Sequence, residues 1–282
     1  MENIYFVNLD AKHIHVPNSR WYEIGNYLEN GKAYVGVTSV LGVKAKTGLL
    51  NWQIQIAKSG VDPKEIGKQA MAEGSVVHNA CESLMLGNEL TYSEEEYDFY
   101  GSWLPICRFK EAYHELEIKP VLIEQVVFSN RMEVAGTLDQ LSFIKPKGLK
   151  NHSLALIDLK RGSSAYVDYQ WQLAAYKECL LEMVSNPEKD SEKLVAYLMK
   201  EMSLGIEDLI EAITNVKCYL LLLNTPTKKG WRLTEVTDTS EKLKGFEACN
   251  NLFKIENPNL NYVRETYPIE LNLGIESKEL EL

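Results

Sequence analysis

Short runs of alternating apolar and polar residues open the chain at Ile4 to Leu9, His13 to Val16 and Ala33 to Val37. They are broken by Pro17-Asn18-Ser19 and by Asn30-Gly31. A period of two puts one face of each run on a core, and the breaks are turn formers, so the pattern predicts an N-terminal β-meander. The period then lengthens. Thr47-Gly48 leads into Leu49, Leu50, Trp52, Ile54 and Ile56, and Asp62-Pro63 reads as an N-cap with proline at the first helical position. The second helix is expected from Pro63 to about Leu86, stopped by Gly87. A third is expected from Ser93, with Tyr97, Tyr100, Trp103, Leu104 and Phe109 on one face. Three short runs rich in Val, Ile and Leu follow at Pro120 to Phe128, Glu133 to Ile144 and Ser153 to Leu159, which predicts three strands of one sheet. A helix from Tyr166 to Met183, a helical pair between Ser191 and Asn215, a strand at Val216 to Leu223, a hairpin partner at Gly230 to Val236 and a helix at Asp238 to Phe253 complete the reading.

Strands with helices before and after them in the chain imply an α/β fold, a mixed central sheet flanked by helices, with the meander and extra helices added to it. The expected division is 1–37 for the β-rich extension, 38–256 for the main domain and 257–282 for a charged tail. A length of 282 residues, 45% of them hydrophobic, suffices for a core without metal or disulfide staples. The five cysteines, Cys81, Cys107, Cys179, Cys218 and Cys249, form no C-x-x-C pair, which speaks against a zinc ribbon or an iron–sulfur cluster and fits free thiols in a reducing cytoplasm. No apolar run approaches the roughly 18 residues of a membrane span. The net charge of −10 argues against a protein that coats nucleic acid nonspecifically, yet a cluster of acidic metal ligands would itself make an enzyme acidic.

Four segments place polar groups where a plain core would not. In Gly74-Ser75-Val76-Val77-His78-Asn79-Ala80-Cys81-Glu82, the residues Gly74, His78 and Glu82 recur every four positions and share a helix face. The glycine is expected to admit a close neighbour there. His78 and Glu82 suit a divalent ion, or form a surface pair. In Ala135-Gly136-Thr137-Leu138-Asp139-Gln140-Leu141, an aspartate stands mid-strand, a costly position unless it is partnered or solvated at a bulge. In Ile157-Asp158-Leu159-Lys160-Arg161-Gly162, Asp158 and Lys160 share one strand face, either as an edge ion pair or as a metal ligand beside a group that acts on water. Gln172 and Tyr176 lie one helical turn apart on the next helix.

In this order and spacing, the helix histidine, Asp139, the Asp158-x-Lys160 pair and the Gln172-x-x-x-Tyr176 helix resemble the PD-(D/E)XK nuclease superfamily. The nearest branch includes the RecB nuclease domain, CRISPR adaptation nucleases and the mitochondrial genome maintenance exonuclease. Val37-Thr38-Ser39-Val40-Leu41 with Leu49-Leu50-x-Trp52 is similar to the N-terminal stretch of several members, and Glu124 matches a glutamate they often carry. Leu138 stands where this branch commonly has proline, and the cluster cysteines of some relatives are missing. The resemblance implies a Mg²⁺- or Mn²⁺-dependent DNA exonuclease acting at ends or in single strands, in repair, recombination or replication. It implies Asp139, Asp158, His78 and the Leu159 carbonyl as metal ligands, and Lys160 beside the attacking water. Glu82 and Glu124 fall to supporting or second-metal places. Gln172, Tyr176 and Arg161 are expected to touch substrate, or in the case of the first two to hold the active-site backbone. A helicase, a single-strand-binding protein or a recombination protein is the implied partner; none is a membrane.

Two alternatives stay open at this level: a structure-selective endonuclease on the same fold, and a noncatalytic DNA-binding subunit. Lys145, Lys147 and Lys150, with Lys160 and Arg161, and Lys228, Lys229 and Arg232 on the later hairpin, are expected to form a basic track beside the acidic site. Tyr166, Tyr169 and Trp171 follow closely, as stacking surfaces for unpaired bases or as core.

Overall fold

The computed structural model describes residues 7, 9, 11–16, 19–25, 32–45 and 47–258. The strand expected at Ile4 to Leu9 and the two turns after it fall largely outside these residues, as does the chain from residue 259 onward. The meander consists of β1 (Lys12–Val16), β2 (Ser19–Ile24) and β3 (Lys32–Gly36), paired antiparallel in sequence. β2 was not expected as a strand. Trp21, Tyr22, Glu23 and Ile24 are all buried, so no alternation marks it.

A short helix, α1 (Val37–Val40), leads through a 3-10 turn to α2 (Thr47–Lys58) and the long α3 (Pro63–Met85). Asp62 caps α3 by accepting from the Lys64 N–H, and Pro63 occupies the first turn, where its missing N–H costs nothing. The next helix begins later than the expected Ser93. Asp98 accepts from the Gly101 N–H and starts a π-turn, Phe99–Trp103, that runs into α4 (Leu104–Glu115). Ser93 closes only a turn, with its carbonyl accepting from the Glu96 and Tyr97 N–H groups.

The central strands are β4 (Lys119–Ser129), β5 (Val134–Ile144) and β6 (Ser153–Lys160). After them come α5 (Val167–Ser185), α6 (Glu192–Met202), α7 (Ile206–Thr214), β7 (Lys217–Leu222), β8 (Arg232–Val236) and α8 (Thr239–Glu256). Seven strands run in the order β1-β2-β3-β5-β6-β7-β8, and β4 pairs with β5 as well. The β3–β5 and β6–β7 pairs are parallel and the rest antiparallel, so the sheet is mixed. The meander thus continues the main sheet past residue 37.

Because β4 covers β5 from Val134 to Phe143, β3 and β6 must share the other edge of β5. β3 takes Val134 and Ala135, and β6 takes Gln140 to Ile144. Between them the sheet forks, at Gly136 to Asp139.

Alternate residues of β6 serve two cores. Leu156 packs with α5, α6, α7 and α8 through residues such as Leu173, Leu180, Leu198, Ile213 and Phe246. Ala155, Ile157 and Leu159 pack with α3 and α4 through Val77, Cys81, Ile106 and Phe109. Each large side chain buried in this way contributes about 1.5–3 kcal/mol. Both faces of β6 are therefore covered, and a charge there is visible as a local anomaly. Among the described residues, no helix is long and apolar enough to cross a membrane.

Candidate metal centre at the fork

The β5–β6 ladder ends at Gln140 paired with Ile157; the next opposed residues are Asp139 and Asp158. The strands part there, and a side chain replaces the lost main-chain partner. Asp139 Oδ2 accepts from the Leu159 N–H at 2.6 Å. The Leu159 carbonyl oxygen lies 2.9 Å from His78 Nε2, which reaches it from α3. The same nitrogen is 3.8 Å from Asp139 Oδ2. The Leu159 peptide is thus held on both sides by the two residues expected to share a metal with its carbonyl.

Glu124 lies between Ile123, paired with Gln140, and Gln125, paired with Leu138, so it stands across β5 from Asp139. Its φ of +48° is in the left-handed region, which costs a non-glycine residue about 1–3 kcal/mol and is concentrated at functional sites. With this kink, Glu124 Oε1 lies 4.0 Å from His78 Nδ1. The ligand atoms of His78, Glu124 and Asp139 all fall within 4.8 Å of one another, a group that could hold a metal ion. Its nitrogen and oxygen donors suit a hard-to-borderline divalent cation.

Asp158 departs from expectation. It does not join that trio; Lys160 Nζ holds it instead, 2.7 Å from Oδ2. The physical reason is burial: Asp158 is 1% exposed, and the ammonium two residues on is the cation that can reach it on the same strand face. Lys160 meets Oδ2 alone; among the described residues Oδ1 is buried without a hydrogen-bond partner. A buried carboxylate left in that state is an acceptor for which a divalent ion fits.

The electrostatics follow from burial and crowding. Burial pushes Asp158 up to about 6, against the pull of Lys160. Burial also raises Asp139, opposed by His78 and Lys160. The Asp139 charge raises His78 to about 9, although burial works against it, so the imidazolium supplies positive charge at the fork. Burial would lower Lys160, but Asp158 and Asp139 together outweigh it and hold the ammonium charged. The face of Tyr169 covers that ammonium at 4.7 Å.

The remaining expected residues are placed as follows. Glu82 is half-buried and outside the ligand group, and the space around Gly74 is open, so no element approaches closely there. Tyr176 is buried, and its ring lies so near Gly136 that a β-carbon there would meet Cε1 at 2.3 Å. Gln172 donates to Tyr176 Oη at 3.1 Å. The pair thus packs against the β5 backbone at Gly136. Arg161 pairs with Glu73 at 2.6 Å and donates to the Gly101 carbonyl at 3.0 Å, tying α3 and the π-turn to the end of β6.

The basic track is corrected in half. Lys145, paired with Glu117, and the loop carrying Lys147 and Lys150 join the far ends of β5 and β6, where Ser153 stands seven residues or about 23 Å along the strand from Lys160. Arg232 does reach the near end, across Leu222 from Lys160, and donates to the Ser163 carbonyl. Lys229 is engaged with Glu115. Trp171 packs against Gly245 of α8 and beneath Lys44.

The sequence did not single out Glu73, and it placed Glu124 in a supporting or second-metal position where the structure sets it within the trio. The signal for Glu73 is the run Gln69-x-x-x-Glu73 beside the helix glycine, which is too common to point anywhere. The chain matches no protein-family model, and no curated protein is significantly similar to it in sequence.

If the trio binds metal, Mn²⁺ raises the unfolding temperature of the wild type, by about 2.7 kcal/mol of stability at a hundred times Kd. Both His78→Ala and Glu124→Gln shift the Mn²⁺ titration to higher concentration. Thermal unfolding with and without EDTA checks this, and superimposable titrations in all three proteins reduce the trio to an ordinary imidazole–carboxylate contact.

Proposed function

We propose that the protein is a metal-dependent deoxyribonuclease of PD-(D/E)XK type, acting as an exonuclease at DNA ends or in single strands. One observation carries the reading: Asp139, Asp158 and Lys160 converge where β5 and β6 part, with Asp158 buried, its Oδ2 on the Lys160 ammonium and its Oδ1 without a hydrogen-bond partner. The donors fit a divalent-metal site, and both the nuclease reaction and the preference for ends rest on the resemblance to the RecB-like branch.

Asp139, Glu124, His78, the Leu159 carbonyl and Asp158 are the residues that would hold Mg²⁺ or Mn²⁺. When bound, the ion lowers the pKa of a coordinated water and neutralises charge on the scissile phosphate. The chain's own groups do the rest. Asp139 fixes the Leu159 N–H and so aims its carbonyl. His78 is brought to that carbonyl by α3, and it binds metal in its neutral form. Lys160 is a charged ammonium pinned by Asp158 and roofed by Tyr169, able to orient a water and to stabilise negative charge gathering on phosphate. Tyr176 against Gly136 keeps the fork narrow.

The test is end-labelled single-stranded, duplex and covalently closed circular DNA, incubated with purified protein in Mg²⁺, Mn²⁺ or EDTA. Metal-dependent shortening of linear DNA with circles spared is the expected result. Cut circles make the enzyme an endonuclease. Retained DNA binding without cleavage in either metal overturns the catalytic reading in favour of a binding subunit.

A further inference from the structure

The connection from β6 to α5 carries an aromatic residue in an unusual setting. Tyr166 is 61% exposed, although it stands immediately before the α5 helix at the mouth of the fork. Its ring meets Tyr169 edge-on, with centroids 5.5 Å apart and planes at 75°. Tyr169 in turn lies over Lys160 Nζ at 4.7 Å. Two ring contacts therefore connect an exposed aromatic face to the ammonium that serves the candidate reaction.

The segment is built to hold that ring in place. Arg161 is anchored on Glu73 and the Gly101 carbonyl at one end. Arg232 donates to the Ser163 carbonyl in the middle, and Gln170 to the Ala165 carbonyl beyond it. The Tyr169 and Gln170 N–H groups bond the Tyr166 carbonyl, closing the first turn of α5. A tyrosine exposed on a tethered segment loses little freedom when a flat ligand settles on it.

We infer that Tyr166 is a stacking platform for an unpaired base beside the scissile phosphate, and that it makes single-stranded nucleic acid the preferred substrate of the site. The inference rests on the nuclease reading for the location of the phosphate. A base inside a duplex has both faces covered by its neighbours and cannot reach a protein ring, whereas an unpaired base offers a free face. Stacking of this kind is indifferent to base identity, so it selects for strand state without reading sequence. Tyr169 is the positioning residue: it supports the edge of Tyr166 and fixes its height above Lys160.

The experiment is equilibrium binding in EDTA, so that no strand is cut, followed by fluorescence anisotropy. The probes are a labelled oligothymidylate, an abasic strand of equal length and charge, and a blunt duplex. Wild-type protein is expected to bind oligothymidylate most tightly. Tyr166→Ala weakens that binding roughly 5- to 100-fold, the range for one stacked base. Tyr166→Trp restores it, and the duplex is bound equally by wild type and variant. Loss of the aromatic ring and loss of the base should be equivalent, so the abasic strand binds wild type about as weakly as oligothymidylate binds Tyr166→Ala. An equal loss on duplex, an abasic strand bound as tightly as oligothymidylate, or no strand binding at all overturns the inference. Base-dependent binding in a protein that never cuts DNA leaves the platform standing and removes the nuclease reading. Cleavage of single and double strands at equal rates, unchanged by Tyr166→Ala, does the reverse.

Discussion

If the chain is the nuclease proposed above, Asp158→Asn abolishes DNA cleavage, by roughly 10³-fold or more, in a protein that still folds. The amide keeps the volume of the carboxylate but carries no charge for a cation, and it no longer fixes Lys160 by charge. The stability consequence separates a functional pair from a structural one. Asp158 is 1% exposed and burial pushes its pKa up to about 6, so the folded chain bears a charge it would be better without. Removing Lys160 alone, as Lys160→Met, strands that charge and lowers stability by about 3 kcal/mol. Removing both, as Asp158→Asn with Lys160→Met, leaves no buried charge unpaired, and the double variant is more stable than Lys160→Met alone. Thermal unfolding of the four proteins in EDTA, beside the cleavage assay, checks the set. Single losses that simply add in the double variant show that the two groups are not coupled, and cleavage persisting in Asp158→Asn removes the pair from the active site.

Gly136→Ala has the second large effect, on stability. The added β-carbon meets Tyr176 Cε1 at 2.3 Å and Cζ at 3.0 Å, and Tyr176 is buried with its hydroxyl bonded to Gln172. The ring has nowhere to go, because α5 is packed by Leu173, Cys179 and Leu180 into the larger core. Overpacking of this kind costs about 3 kcal/mol, which lowers the unfolding temperature by about 6–12 °C in a chain of this size. Tyr176→Phe does not relieve the clash, since the contact is with the ring carbon; Tyr176→Leu does. A calorimetric scan of Gly136→Ala alone and with each partner change tests the argument. A variant as stable as wild type shows that the fork opens without cost and that Tyr176 does not set its width. Any opening also moves Asp139, three residues on, so under the nuclease reading the alanine variant loses cleavage together with stability.

Much of the molecule was readable from local pattern, and the exceptions have a common cause. β4, β5, β6 and α5 through α8 stand within a few residues of their expected limits, because runs of Val, Ile and Leu and helical periodicity report burial residue by residue. β2 escaped because all four residues from Trp21 to Ile24 are buried, Glu23 among them, which erases the alternation that marks a strand with one wet face. The start of the helix before β4 was misplaced because Ser93 and Asp98 are both capable caps, and only the bond from the Gly101 N–H to Asp98 decides between them.

The site divides in the same way. Asp139, Asp158 and Lys160 stand out in sequence because a charge inside an apolar strand violates a local rule, and the violation is visible without knowing the neighbours. The partnership of His78 with the Leu159 carbonyl, the promotion of Glu124 to the ligand group and the engagement of Arg161 by Glu73 depend on contacts between distant parts of the chain. So does the placement of Lys145 to Lys150 at the wrong end of the sheet for the site, which follows from antiparallel pairing of β5 with β6. The sequence by itself determined which residues are costly to bury and which segments are strand or helix, since both are properties of short stretches in water. The tertiary structure alone decided which charges meet at the fork, because β4 occupies one whole edge of β5 and forces β3 and β6 apart on the other.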